Sequence, residues 1–116
     1  MYSYDLAKLI SSFVINKKAK HVKIIDVRNL TEIADYFVIC TGTSDTHVKT
    51  IHDAISDGMS KESTLWQVEG LNSLNWVLMD FVDTVVHIFQ KEQREFYSLE
   101  RLWADGKIES IEYDFS

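Results

Sequence analysis

The residues with the clearest chemical potential are Gly42-Thr43-Ser44, which close a short apolar run and lead into a helical pattern. A small-residue turn entering a helix can serve phosphoryl transfer, but that chemistry also requires carboxylates converging on divalent metals. The usual arrangement is two acids one residue apart on a strand, because a strand's period of two puts i and i+2 on one face. Here the nearest pair, Asp80 and Asp83, is three apart and straddles a turn, while Asp26 and Asp35 stand alone on separate segments. The plainer reading of Gly42-Thr43-Ser44 is a strand-to-helix turn with a capping hydroxyl, and it outweighs the catalytic one several times over.

Other candidate groups are weaker. No pair among His21, His47, His52 and His87 has the i, i+4 spacing of a helical metal site; His47 and His52 lie five apart on different faces. His87 stands in an apolar strand, where a hydrogen-bonded structural imidazole is expected. Cys40 reads as a small buried hydrophobe, with no basic neighbour in sequence to favour a thiolate. No catalytic residue, metal site or cofactor is therefore expected. Trp76, Leu78 and Asp80 are more informative. On a strand they share one face, and Val77, Met79 and Phe81 share the other. The second set is wholly apolar and reads as the core side. The first combines an aromatic, an aliphatic and an acid, which suits an interface anchor beside a charged partner. From these residues alone, an interface and simple packing beneath a helix are equally supported.

The chain that positions these groups has 116 residues, 46% of them hydrophobic and 26% charged, and predicts one soluble domain over 1–116. A single cysteine excludes an internal disulfide framework. No apolar run approaches the roughly 20 residues needed to span a bilayer, and Met1 to Ile10 lacks the build of a signal peptide. A cytoplasmic protein without a membrane partner is expected. Net charge is −6. Residues 1–61 carry eight Lys/Arg against seven Asp/Glu (+1), and residues 62–116 carry four against eleven (−7). An acidic second half argues against direct wrapping of nucleic acid and suits a basic protein partner, although solubility alone also explains it.

The periodicities give the elements. Leu6, Leu9, Ile10, Phe13 and Val14 form the stripe of a first helix, with Ser3 as its candidate cap and Lys17, Lys18 and Lys20 beyond its end. Strands are expected at Val22–Val27 and Tyr36–Cys40, then a second helix striped by Val48, Ile51, Ala54, Ile55 and Met59. Three more strands follow at Leu65–Glu69, Asn75–Phe81 and Thr84–Phe89, the last two forming a tight antiparallel hairpin. A third helix from about Lys91 to Trp103 would bury Phe96, Leu99, Leu102 and Trp103. No firm structure is assigned past Gly106. The predicted class is α/β (α+β): one mixed sheet of about five strands, including one parallel pairing, with helices packed on it.

Three ordered segments resemble the Iojap-related ribosomal silencing factor family. They are Ala34-Asp35-Tyr36-Phe37-Val38-Ile39-Cys40-Thr41-Gly42-Thr43-Ser44, the stretch from Trp76 to Phe89 (WVLMDFVDTVVHIF), and that from Arg94 to Trp103 (REFYSLERLW). Glu69-Gly70 also matches, so the resemblance covers about Val22 to Trp103. Two positions depart from the pattern: the family usually has glycine where this chain has Val82, and often tyrosine or leucine at Phe81. The resemblance implies a nucleotidyltransferase-like sheet without catalysis, in a protein that binds the fourteenth protein of the large ribosomal subunit. Occupying that face blocks joining of the small subunit and represses translation; organellar relatives assist large-subunit assembly. It further implies a homodimer when free; no sequence-specific contact with nucleic acid is expected, on the ground of the acidic second half. The partner-binding surface carries over to Trp76, Leu78, Met79, Asp80 and Asp83, with Tyr97 and Glu100 at its margin. The rival from another class is a nucleotidyltransferase-like enzyme using Gly42-Thr43-Ser44. A generic homodimeric interaction module with a different client is the third reading.

Overall fold

Central strands must be apolar on both faces, and the two most continuously apolar segments lie at the middle of the sheet. A computed structural model describes residues 3–60 and 67–111. Its single sheet has six strands: β1 Lys20–Asp26, β2 Tyr36–Gly42, β3 Gln67–Glu69, β4 Trp76–Asp80, β5 Thr84–Gln90 and β6 Lys107–Ile111. Their spatial order is β3-β4-β5-β2-β1-β6. Only β2 and β5 run parallel, with Tyr36 opposite Thr84 and Gly42 opposite Gln90. The other four pairings are antiparallel. The parallel pair is therefore closed by β5 and not by the strand that directly follows the second helix. Of the strand expected at Leu65–Glu69, Leu65 and Trp66 lie outside the described residues.

One face of the sheet is covered by α1 (Ser3–Asn16) and α2 (Asp45–Met59). Both bury the stripes expected of them, Leu6, Ile10 and Val14 from α1 and Val48, Ile51, Ile55 and Met59 from α2. They meet Ile24, Val38, Cys40, Val77, Met79, Val86 and Ile88 in the larger core. Ser44 caps α2, its hydroxyl accepting from the His47 N–H at 3.1 Å. Ser3 begins α1, and its hydroxyl donates to Asp35 at 2.8 Å.

The opposite face carries a smaller core of Ile25, Phe37, Ile39, Val85 and Phe89, against which Trp76, Leu78, Leu99 and Trp103 pack. Its helical cover is broken in two, α3 Lys91–Tyr97 and α4 Leu99–Leu102. Ser98 between them takes left-handed angles (φ 47°, ψ 53°) and its N–H bonds to the Arg94 carbonyl at 3.0 Å. The single helix expected over Lys91–Trp103 is thus corrected. Only half of its apolar stripe is inside: Phe96 is 81% and Leu102 70% exposed, whereas Trp103 sets its ring edge-on to Phe37 at 5.4 Å. Past Gly106 the chain adds β6 along β1, a strand the sequence reading left unassigned.

Candidate functional site

The face built on β4 starts from alternation. Val77 and Met79 are fully buried beneath α1 and α2, while Trp76, Leu78 and Asp80 are half-buried on the other side. Trp76 lies opposite Phe89 of β5 and stacks on it, centroids 4.8 Å apart at 26°. Tyr97 of α3 closes over the indole at 4.7 Å. The indole N–H donates to His87 Nδ1 at 3.1 Å, which fixes the side chain's orientation. Because Trp76 can only donate, Nδ1 must be the unprotonated nitrogen and Nε2 carries the imidazole proton. Nε2 is buried with no hydrogen-bond partner among the described residues. Burial pushes the His87 pKa down to about 4, so the ring stays neutral and remains an acceptor for Trp76.

At the other end of β4, Asp80 Oδ1 accepts from the Val82 N–H at 2.8 Å, an Asx-type bond that holds the hairpin. Val82 sits in the left-handed region at φ 75°, where glycine is the easy residue, and is 57% exposed. Asp83 beside it is exposed, and its carbonyl accepts from the N–H groups of Asp35 (2.8 Å) and Tyr36 (3.2 Å), tying the hairpin to the start of β2.

Of the seven residues expected at the partner surface, Trp76, Leu78, Asp80 and Tyr97 share this side, with Asp83 at its hairpin end. Met79 does not join them: its side chain is fully buried in the larger core, because strand alternation turns it away. Glu100 is also differently committed. Its carboxylate accepts from Arg94 Nε at 2.9 Å and lies 3.5 Å from Lys23 Nζ. Burial pushes this carboxyl up, but the hydrogen bond and charge of Arg94, with Lys23, outweigh it and leave the group below its usual value. Arg94 is itself buried and also donates to Thr41 Oγ1 at 2.8 Å. His87 is the hydrogen-bonded structural imidazole expected of it, whereas sequence reading missed Phe89 and Arg94 as supports of this region. The cross-strand register that brings Phe89 and His87 beneath Trp76 depends on the hairpin length, which was legible.

The turn at Gly42-Thr43-Ser44 is satisfied from within. The Thr43 N–H donates to His47 Nδ1 at 2.8 Å, Ser44 Oγ is taken by His47 N, and the Val48 N–H bonds to the Ser44 carbonyl at 3.0 Å. His47 Nε2 donates in turn to the Lys17 carbonyl at 2.7 Å. Gly42 has a packing reason to be glycine, since an added Cβ would stand 2.7 Å from Val48 Cγ2. Asp80 cannot help such a turn: it pairs with Val85, five residues back along β5 from the Gln90 that faces Gly42, or about 17 Å at 3.3 Å per residue. Among the described residues no three His, Cys, Asp or Glu side chains gather closely enough to hold a metal. Cys40 is fully buried and its thiol is pushed up to about 12 by that burial, which leaves no thiolate for chemistry.

The family described as ribosomal silencing factor during starvation matches residues 2–115. Ribosomal silencing factor RsfS of Bacillus subtilis is 32% identical over 114 residues, with 97% of each chain covered. That of Halalkalibacterium halodurans is 34% identical over 113 residues, again with 97% of each covered. The mouse mitochondrial assembly of ribosomal large subunit protein 1 is 30% identical over 104 residues, 86% of this chain and 45% of that protein. A crystal structure of a Chromobacterium violaceum protein superposes with a TM-score of 0.87 at 26% identity, covering all of this chain and 93% of the other. With a family match over nearly its whole length, a relative more than 30% identical across 97% of both chains, and the same fold in a solved structure, this chain belongs to the ribosomal silencing factor family.

Proposed function

We propose that this protein is a non-catalytic translational repressor that docks on the large ribosomal subunit through that subunit's fourteenth protein and so blocks joining of the small subunit. The observation that carries the reading is the arrangement around Trp76: a large aromatic, half-buried and held between Phe89 and Tyr97, followed along the strand by Leu78, Asp80 and Asp83. A preoriented aromatic flanked by an aliphatic and acids is the composition of an interface centre that meets a basic surface. Met79 is left out of the docking face because it is buried, and Glu100 because it is paired internally. The names of the relatives support a ribosomal role, and that of the mouse protein supports the large subunit in particular.

When free, the chain forms a homodimer in this reading, with the exposed Phe96 and Leu102 as the apolar residues available to a second copy. The protein acts in the cytoplasm. The deciding experiment is co-sedimentation with separated ribosomal subunits. The protein is expected to pellet with large subunits, not with small ones, and to lower the yield of joined ribosomes when small subunits are added. Absence from the large-subunit pellet would end the proposal.

A further inference from the structure

An open cleft lies beyond the carboxyl ends of the parallel strands β2 and β5, the position where open α/β sheets present ligand sites. Cations from separate parts of the chain converge on it: Lys20 and Lys23 from β1, Lys91 and Arg94 from α3, and Arg101 from α4. Residues 62–116 contain only four Lys/Arg, and three of them line this one cleft, although that half carries −7 overall. Three acids also line it, Glu92, Glu95 and Glu100. Glu100 is neutralised by Arg94 and Lys23. Lys20, Lys91 and Arg101 are exposed and enter no ion pair among the described residues. A protein selected only for acidic solubility has no reason to collect its cations in one concavity.

We infer that this cleft binds the phosphodiester backbone of RNA beside the protein-docking face, without reading its sequence. A single compact phosphate group fits the cleft poorly. The Thr43 N–H is taken by His47 Nδ1 and the His47 N–H by Ser44 Oγ, and Asp45 places a negative charge in the first turn of α2. What remains for an anion is a set of long side chains spread over three elements, which suits successive phosphates of a polyanion. The class of polyanion rests on the docking proposal, since a factor seated on a ribosomal subunit has RNA within reach. The cleft also adjoins that face: Asn75 and Gln90, which line it, precede Trp76 and follow Phe89 directly.

The test uses the full chain and a short fluorescein-labelled RNA hairpin, read by fluorescence anisotropy across a salt series. The wild type is expected to bind, and the variant Lys20→Glu/Lys91→Glu/Arg101→Glu to lose at least about tenfold in affinity. If all three positions neutralise phosphates, the slope of log K against log salt becomes shallower by about 2–3. These side chains are exposed and unpaired, so thermal unfolding should be close to that of the wild type; single Lys91→Ala and Arg101→Ala proteins serve if the triple variant fails to fold. No RNA binding at low salt, or binding unaffected by the substitutions, overturns the inference. Displacement of RNA by tripolyphosphate at equal phosphate concentration also overturns it, because the cleft would then be a small-anion site. Large-subunit co-sedimentation on the same proteins separates the two proposals. Retained docking without RNA binding sinks only the cleft, and RNA binding without docking sinks only the protein face.

Discussion

Replacing Trp76 by alanine tests the docking face and the packing beneath it together. The indole makes two close ring contacts, with Phe89 at 4.8 Å and Tyr97 at 4.7 Å, and such pairs contribute about 0.5–1.5 kcal/mol each. Its hydrogen bond to His87 is the third loss. An unmade bond at a buried acceptor costs about 1–3 kcal/mol, and the low end applies because truncation lets water reach the imidazole. With the apolar burial that the indole also gives up, the sum is about 3–5 kcal/mol, no more than the roughly 5–15 kcal/mol that holds a domain folded. Trp76→Ala should therefore fold at 25 °C, with Tm lowered by about 12–20 °C at roughly 4 °C per kcal/mol for a chain of this size. Loss of an interface anchor costs about 2 kcal/mol or more, so affinity for large subunits should drop at least about thirtyfold. Unfolding followed by circular dichroism and subunit co-sedimentation, on one preparation well below Tm, separate the two effects. Trp76→Phe, which keeps a stacked ring but not the N–H, should lose stability mainly through His87 and retain most of its binding. A folded Trp76→Ala protein that binds like its parent would show that this side of β4 is not the docking face.

His87 makes the fold acid-sensitive. Its folded pKa of about 4 lies below the ordinary value of 6.5, so above pH 6.5 its titration adds no cost, and as pH falls from 6.5 towards 4 the unfolded chain takes up a proton that the native state refuses. Stability should fall by about 3 kcal/mol over that window; urea unfolding at several pH values checks this, and a His87→Gln protein with the same pH dependence would refute the assignment. Val82→Gly should raise stability by about 1 kcal/mol or somewhat less, relief of a left-handed valine being partly offset by glycine's greater unfolded freedom, and no rise in Tm would contradict the strain argument. Incubation with nucleoside triphosphates and magnesium should give no nucleotidyl transfer; turnover abolished by Ser44→Ala or Asp80→Asn would reinstate the enzymatic reading.

The elements that were legible in sequence are those whose burial is one-sided and local. The stripes of α1 and α2 repeat at helical spacing, and β4 alternates so cleanly that the core side was readable from Val77, Met79 and Phe81 alone. The same alternation should have removed Met79 from the partner surface, where only family resemblance had placed it. What stayed hidden depends on contacts distant in sequence. The helix expected over Lys91–Trp103 breaks at Ser98 because Arg94 is drawn inward by Thr41, 53 residues away, and by Glu100, while Leu99 and Trp103 must turn onto the sheet. A helical stripe cannot announce that its buried member is an arginine. The strand β6 is equally unreadable: its pattern of exposure is that of an edge, and only its pairing with β1 defines it.

The orientation of β4 gives the proposed docking a direction. Asp80 and Asp83 stand at the hairpin end, Trp76 at the other, and beyond Trp76 lies the cationic cleft. Acid, aromatic and cation thus succeed one another along one side of the sheet. A partner that presents a basic protein surface beside a phosphate backbone can satisfy all three only in one orientation, since reversal sets like charges against each other at both ends. Screening acts on the two ends alike, because both are solvent-exposed and the Debye length is about 8 Å at physiological salt. The aromatic contact between them is not screened. Salt should therefore weaken the orienting ends before it weakens the Trp76 anchor, and residual binding at high salt should depend on Trp76 while losing its dependence on Lys91 and Arg101.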